Sequence, residues 1–443
     1  MEATPLPASL LVYLGQQRVG TLYPTEPLSF EYAAQWLAGA APKPLHPGIG
    51  AAPGRLSMPE LHAFFENLLP EGDQRRMLGL RYQVSSVFGL LAMVGGDTAG
   101  AIVLLPEGQQ PVAPVYQDLS WDEVSALIHA DAASIRQREA LDAAAVGMPT
   151  PRISISGAQF KLLLLVTPDG MPRRPMGSSP STHILKPDMM RRDIPVFATA
   201  VNETIVMRAA RLCGLPTAKT SYQPVAQACL IERYDRILQP DGSLERLWQA
   251  DFCQLLGKPS GIKYEHDGGP AFKDCYALLE NSVQPAVDRR LLLRWLFFNL
   301  YVGNHDTHAK NLAMLATDAG LRLAPFYDLM STQVYSGLGP NFAFSIGGEF
   351  EPGKMNAEHL ARLCATLGVV PRYAGKLARE LAGQLDRAII MAAEELLPQL
   401  RPGQKVLAER LVRRIRKNVK QMGKRLLGED GPAGKADKRS AQR

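Results

Sequence analysis

The chain has 443 residues, 46% of them hydrophobic and 21% charged, which is enough for two or three domains with buried cores. No apolar run reaches the ~18 to 20 residues that span a bilayer, and no basic segment leads into a signal-peptide core, so a cytoplasmic protein with no membrane partner is expected. The net charge of +6 is local: residues 401–443 carry 14 Lys/Arg against 4 Asp/Glu, a balance of +10 that leaves −4 on the rest.

Residues 10–13 and 18–22, joined by Gly15-Gln16-Gln17, predict a strand hairpin and an α/β start. The segment Phe64-Phe65-Glu66-Asn67-Leu68-Leu69-Pro70-Glu71-Gly72 predicts a helix ended by its Pro and Gly. Residues 87–94 predict another, stopped by Gly95-Gly96, and residues 101–105 a closing strand. The Pro-, Gly- and Gln-rich run 106–114 marks a connection, so a first domain is expected at 1–112. Helices are expected at 121–130 and 134–144, and strands at 161–166, 183–185 and 229–231. Val201, Ile205, Ala209 and Leu212 form a helical stripe that Gly214 stops. The expected order is strand, strand, helix, strand, a small sheet-bearing lobe at about 150–235.

From Gln249 onward the pattern is mainly helical, a large lobe at about 245–427. A nucleotide held between two such lobes suits this α+β layout. Val406, Leu407, Leu411, Ile415 and Val419 predict a basic helix with one packed side, and the Gly-, Pro-, Ala- and Lys-rich stretch 428–443 predicts a disordered tail. The basic face reads either as solvated surface or as a contact for nucleic-acid phosphates. Cys213, Cys229, Cys253, Cys275 and Cys364 have no CxxC spacing and predict buried reduced thiols rather than zinc ligands.

The chemistry concentrates in Asn304-His305-Asp306-Thr307-His308-Ala309-Lys310-Asn311, followed by Phe326-Tyr327-Asp328. Phosphoryl transfer needs a carboxylate to orient a hydroxyl nucleophile, and a second carboxylate with an amide oxygen to hold magnesium on the nucleotide phosphates. Asp306, Asp328 and Asn311 supply that set. Alone, the spacing also fits a helix cap and a turn. The apolar run 291–302 predicts a buried helix that delivers the loop rigidly, and residues 312–315 and 321–324 predict a hairpin that brings Asp328 to the same loop. His305 and His308 beside Asp306 leave a metal site as another reading. Lys310 argues against it, because a cation there opposes a divalent ion unless anionic phosphate is present.

Ser154-Ile155-Ser156-Gly157-Ala158-Gln159-Phe160-Lys161 has small residues that let backbone N–H groups approach phosphate, although it is no Walker A sequence. It also fits a plain turn. Lys186 at a strand end fits a phosphate-pairing lysine or a solvated one, and Glu203 on the next helix fits its orienting partner or a surface charge. Glu232-Arg233-Tyr234-Asp235 falls where a hinge between lobes would meet adenine.

These segments together resemble the HipA family of bacterial serine/threonine-protein kinase toxins, to which Thr182-His183-Ile184-Leu185-Lys186, Gly261-Ile262-Lys263-Tyr264-Glu265 and Pro325-Phe326-Tyr327-Asp328 add further matches. The resemblance implies a HipA-like N-terminal domain followed, over 113–427, by a protein-kinase-like fold. It implies Asp306 as catalytic base, and Asn311 and Asp328 as magnesium ligands. ATP contacts would come from Ser156, Gly157, Ala158, Gln159, Phe160, Lys161, Lys186, Glu232, Arg233, Tyr234, His308, Ala309, Lys310, Asn311, Tyr327 and Asp328. It further implies autophosphorylation in the phosphate loop, where Ser154 and Ser156 form a pair, so either or both are candidates. Added negative charge there would expel the loop and switch the toxin off. The implied partners are a HipB-like helix-turn-helix antitoxin, operator DNA mainly through that antitoxin, and an aminoacyl-tRNA synthetase as protein substrate. Two features depart from the family: Ser156 where many members have alanine, and Phe160 in place of an acidic residue. Asp328-Leu329-Met330 is also not the DFG of ordinary protein kinases. The alternatives are a small-molecule phosphotransferase and a DNA-binding regulatory subunit with a vestigial site.

Overall fold

A computed structural model of the chain describes residues 6–39, 44–129, 141, 145, 148–149, 159–189, 191 and 193–428. The first unit is built on β1 (Leu10–Leu14), β2 (Gln17–Tyr23), β3 (Ser29–Tyr32), β4 (Arg55–Ser57) and β5 (Ile102–Pro106), in the antiparallel order β4-β3-β2-β1-β5. The alternation of β1 sends Leu10 and Val12 into the core with Phe30, Phe64, Phe65 and Leu104, while Leu11 and Tyr13 pack on Val103 and Leu105 on the other face. Gly15, at φ +59°, makes the hairpin turn.

The helix Pro59–Glu66 ends earlier than Pro70, and Gly72 opens a second helix, Gly72–Tyr82, instead of stopping the first. Asn67 makes the stop: its Nδ2 donates to the Ala63 carbonyl at 2.7 Å and to the Lys258 carbonyl at 2.9 Å. Gly72–Tyr82 buries none of its residues, so no apolar stripe announced it.

The next sheet has six strands in the order β10-β11-β9-β7-β8-β6. They are β6 (Val115–Asp118), β7 (Leu162–Val166), β8 (Pro172–Met176), β9 (His183–Pro187), β10 (Thr220–Gln223) and β11 (Ala228–Glu232), with every pairing antiparallel. The expected strands at 161–166, 183–185 and 229–231 are β7, β9 and β11. The expected order of strand, strand, helix, strand is corrected, because β8 lies between the first two and β10 follows the helix. β8 reads Pro-Arg-Arg-Pro-Met, which no alternation rule selects. The helix Thr199–Leu212 runs where its stripe placed it. The helix at 121–130 runs Trp121–Ile128, and the one expected at 134–144 falls almost wholly outside the described residues, as do Ser154, Ser156, Gly157 and Ala158.

A ribbon of β12 (Arg236–Leu238) and β13 (Leu244–Arg246) leads to a three-stranded sheet of β14 (Gln249–Asp251), β15 (Ala313–Thr317) and β16 (Gly320–Leu323). The central helix Pro285–Val302 starts on proline and is capped by Gly303 at φ +69°. It packs on Pro371–Leu396 and Pro402–Leu427, with Trp295 stacked on Phe326 at 5.9 Å. Pro402–Leu427 buries Leu407, Leu411, Ile415 and Val419 as expected, but Val406 is 62% exposed, one position off the buried stripe. The tail expected at 428–443 lies, beyond Gly428, outside the described residues. All five cysteines are free and buried. Among the described residues no single helix is long and apolar enough to cross a membrane.

Candidate active site

The loop after Pro285–Val302 is fixed by its own polar side chains. Asn304 donates through Nδ2 to Asn299 Oδ1 at 2.9 Å, Thr307 donates to the Asn304 carbonyl at 2.7 Å, and the His305 N–H donates to Thr332 Oγ1 at 2.8 Å. Asp306 therefore projects from a rigid turn. Asn311 Nδ2 donates to the Asp306 carbonyl at 2.9 Å, which turns its amide oxygen the other way. The Asp306 side chain is 58% exposed and accepts a 2.5 Å hydrogen bond from the Tyr264 hydroxyl. Desolvation by the cleft walls, helped by the charges of Asp328 and Glu71, raises its pKa against the pull of Tyr264 and Lys263.

Opposite it, Lys186 on β9 reaches Glu203 Oε1 at 2.7 Å and Asp328 Oδ1 at 2.5 Å. Glu203 sits on Thr199–Leu212 and is 2% exposed. Asp328 adopts φ +59°, a left-handed conformation costly for a residue with a Cβ and held here by its surroundings. Burial works against its charge, but Lys186 and Lys161 outweigh it and keep the carboxyl well below the usual range. Burial, and then the neighbouring Lys186 charge, bring Lys161 down to about 8. Asn311, Asp306, Asp328, Lys186, Lys161 and Gln159 thus line one cleft between the sheet-bearing and helical lobes.

The remaining candidates divide. Tyr234 and Tyr327 pack at 6.1 Å on one cleft wall, and Tyr327 donates to the Lys310 carbonyl at 2.8 Å. The His308 ring is buried edge-on against Tyr264, and burial drives its pKa well below 6.5. Phe160 is 48% exposed, and its side chain is not among those lining the cleft. The Ala309 methyl lies in the helical core. Glu232 pairs with Lys219 at 3.0 Å on the surface. The Arg233 guanidinium is committed to Asp235, Asp97 and Ser181, so only its main chain is left for a ligand. Lys310 needs no phosphate to balance it, because its ammonium is buried on Asp251 Oδ2 at 2.7 Å and Asn67 Oδ1 at 2.6 Å. His305 turns to the Gly339 carbonyl, and among the described residues no three His, Cys, Asp or Glu side chains gather for a metal.

The first unit reaches into the helical lobe through polar side chains. Glu66 accepts from Ser260 N at 2.9 Å and Ser260 Oγ at 2.7 Å, and Glu71 pairs with Lys263 at 2.6 Å. With Asn67 on Lys310, three polar residues of one nine-residue segment reach the helical lobe. Their signal was present as polar residues inside an otherwise apolar stretch, but their partners lie about 190 residues or more away in sequence.

The fold and cleft define a two-lobed, kinase-like architecture with an added N-terminal unit. Residues 153–389 match the HipA-like C-terminal domain family, and residues 10–105 match the HipA N-terminal domain family. The chain is 38% identical over 351 residues to Y4mE of Sinorhizobium fredii, a candidate kinase, covering 77% of this chain and 81% of that one. It is 28% identical over 418 residues to the serine/threonine-protein kinase toxin HipA of Shewanella oneidensis, covering 89% and 90%. A chain of the solved Shewanella oneidensis complex of HipA, HipB and operator DNA superposes with a TM-score of 0.77 at 25% identity, over 93% of this chain and 97% of that one. The chain belongs to the HipA family.

Proposed function

We propose that the chain is an ATP- and magnesium-dependent serine/threonine-protein kinase that acts as a toxin. The observation that carries this reading is Lys186 held between Glu203 and Asp328, facing Asp306 and Asn311 in one cleft. Asp328, ionised among cations, and the outward amide oxygen of Asn311 are hard oxygen donors of the kind magnesium takes. Magnesium, when bound, supplies charge neutralisation on the nucleotide phosphates. Lys186, oriented by Glu203, binds phosphate oxygens. Main-chain groups of Glu232, Arg233 and Tyr234 meet adenine, with Tyr327 beneath. Asp306 takes the proton of a serine or threonine hydroxyl as its oxygen attacks the γ-phosphorus and the bond to ADP breaks.

In this reading residues 1–112 form a HipA-like N-terminal domain and residues 113–427 the kinase domain. Gln159 and Lys161 line the cleft, and Ser156, Gly157 and Ala158 are proposed as further phosphate contacts. Autophosphorylation at Ser154, Ser156 or both places about two negative charges beside the phosphates and silences the enzyme. The solved relative that includes HipB and operator DNA supports a HipB-like helix-turn-helix antitoxin as partner, with operator DNA bound mainly through it. The proposed substrate is an aminoacyl-tRNA synthetase in the cytoplasm, whose phosphorylation stalls translation.

The test is incubation with γ-labelled ATP and magnesium, followed by phosphopeptide mapping, and phosphoproteomics of cells expressing the wild type or Asp306→Ala. Label on Ser154 or Ser156, and cellular phosphosites absent from the variant, are expected. A wild type that binds Mg-ATP and transfers no phosphate counts against a kinase.

A further inference from the structure

The reaction proposed above builds negative charge on the transferred phosphoryl group beside Asp306, and a cation is needed there. The nearby cations are mostly committed. Lys310 is buried on Asp251 and Asn67, and His308 is held neutral by burial. Lys186 is fixed between Glu203 and Asp328, and Lys161 lies near that pair.

Lys263 differs. It lines the cleft in the loop that carries Tyr264, and its charge is felt by both Asp306 and His308. Three anchors make this loop rigid: Ser260 on Glu66, the Tyr264 hydroxyl on Asp306, and Glu265 on Ser345 at 2.9 Å and 2.6 Å. The ammonium is held by one carboxylate, Glu71 at 2.6 Å, contributed by the N-terminal unit, and Lys263 lies beside the proposed base with a side-chain exposure of 14%.

We propose that Lys263 is a further catalytic residue, whose ammonium binds the transferred phosphoryl group next to Asp306, with Glu71 holding it in place until nucleotide arrives. As the acceptor oxygen bonds to the γ-phosphorus, the proton passes to Asp306 and the bond to the β-phosphate oxygen breaks with its electron pair on ADP. The equatorial oxygens carry the charge that Lys263 meets. The N-terminal unit then completes the kinase centre by presenting this lysine.

This inference rests on the kinase reading, and the full-length chain tests both. Label transfer from γ-labelled Mg-ATP, Mg-ATP affinity by calorimetry and thermal melting are measured for the wild type, Lys263→Met, Lys263→Arg and Glu71→Gln. Lys263→Met is expected to lose about 100-fold in transfer rate, the scale of one lost charge-stabilising donor, with nucleotide affinity within about threefold. Lys263→Arg recovers part of the loss. Glu71→Gln breaks the same ion pair but keeps the ammonium, so its rate stays about tenfold or more above that of Lys263→Met. Equal losses in Glu71→Gln and Lys263→Met, or a wild-type rate in Lys263→Met, overturn the proposal and leave the kinase reading standing. A folded wild type that transfers nothing overturns both.

Discussion

Lys186 Nζ lies 2.5 Å from Asp328 Oδ1 and 2.7 Å from Glu203 Oε1, so one ammonium ties strand β9, the helix Thr199–Leu212 and the loop after Phe326 together. The contact joins the sheet-bearing lobe to the helical lobe through charge. A left-handed Asp328 is tolerable when this pair, Lys161 and the packing of Tyr327 fix it from several sides.

Replacing Lys186 with Met should therefore harm stability and ligand binding together. Glu203 would keep a buried carboxylate without its cation, and breaking such a pair costs about 3–5 kcal/mol. Denaturant unfolding should show that loss, and calorimetry should show weakened Mg-ATP binding. A variant with wild-type stability and affinity would contradict the coupling.

Asp306 should separate chemistry from binding. Its side chain is largely exposed, and the loop around it is held by Asn304, Thr307 and Thr332, none of which uses the carboxylate. Asp306→Ala is expected to lower phosphate transfer by about 10²–10⁴-fold while unfolding and Mg-ATP affinity stay close to wild type. Retained transfer would remove Asp306 as the base.

Stability should fall in acid through Asp97. This fully buried carboxylate of the N-terminal unit accepts from Ser181 N at 3.0 Å and Ser181 Oγ at 2.7 Å, and pairs with Arg236 at 2.7 Å, Arg233 at 3.3 Å and Arg246 at 3.4 Å. Burial alone would raise its pKa, but the three guanidinium groups outweigh it and hold it well below the usual range. A folded-state pKa below the unfolded value of about 3.9 means that its stabilisation is complete above that pH and drains away as pH falls through the folded value. Urea unfolding at stepped pH should show this loss beginning near pH 4. Asp97→Asn should be less stable at pH 7 by about 3–5 kcal/mol and lose less of the remainder in acid.

The hairpin β1–β2, the stripe of Thr199–Leu212 and the buried helix before Asp306 were legible because each has a local period that burial imposes. Asp306, Asn311, Lys186 and Asp328 were legible as residue types at strand and helix ends. Two kinds of feature were not. β8, with two prolines and two arginines, is a strand only because β6 and β7 flank it. Lys310 shows the other limit, since its type fits a phosphate ligand but its partner, Asp251, is set by tertiary contact. The same holds for Glu66 and Glu71, whose partners Ser260 and Lys263 lie in another lobe.

The C-terminal helix offers a sharper test, because a buried stripe and the apolar residue next to it in sequence have opposite fates. Leu407, Leu411 and Ile415 are fully buried against the helical lobe, whereas Val406 points to solvent about 100° away around the helix. Leu411→Ala removes buried methyl groups and leaves a void that close-packed neighbours only partly refill, at about 2–5 kcal/mol. Val406→Ala removes exposed surface and trades a β-branched residue for a better helix former, so its effect should stay within about 0.5 kcal/mol. Denaturant unfolding of the two variants side by side measures the difference. Equal destabilisation would place Val406 in a contact that the described residues do not make.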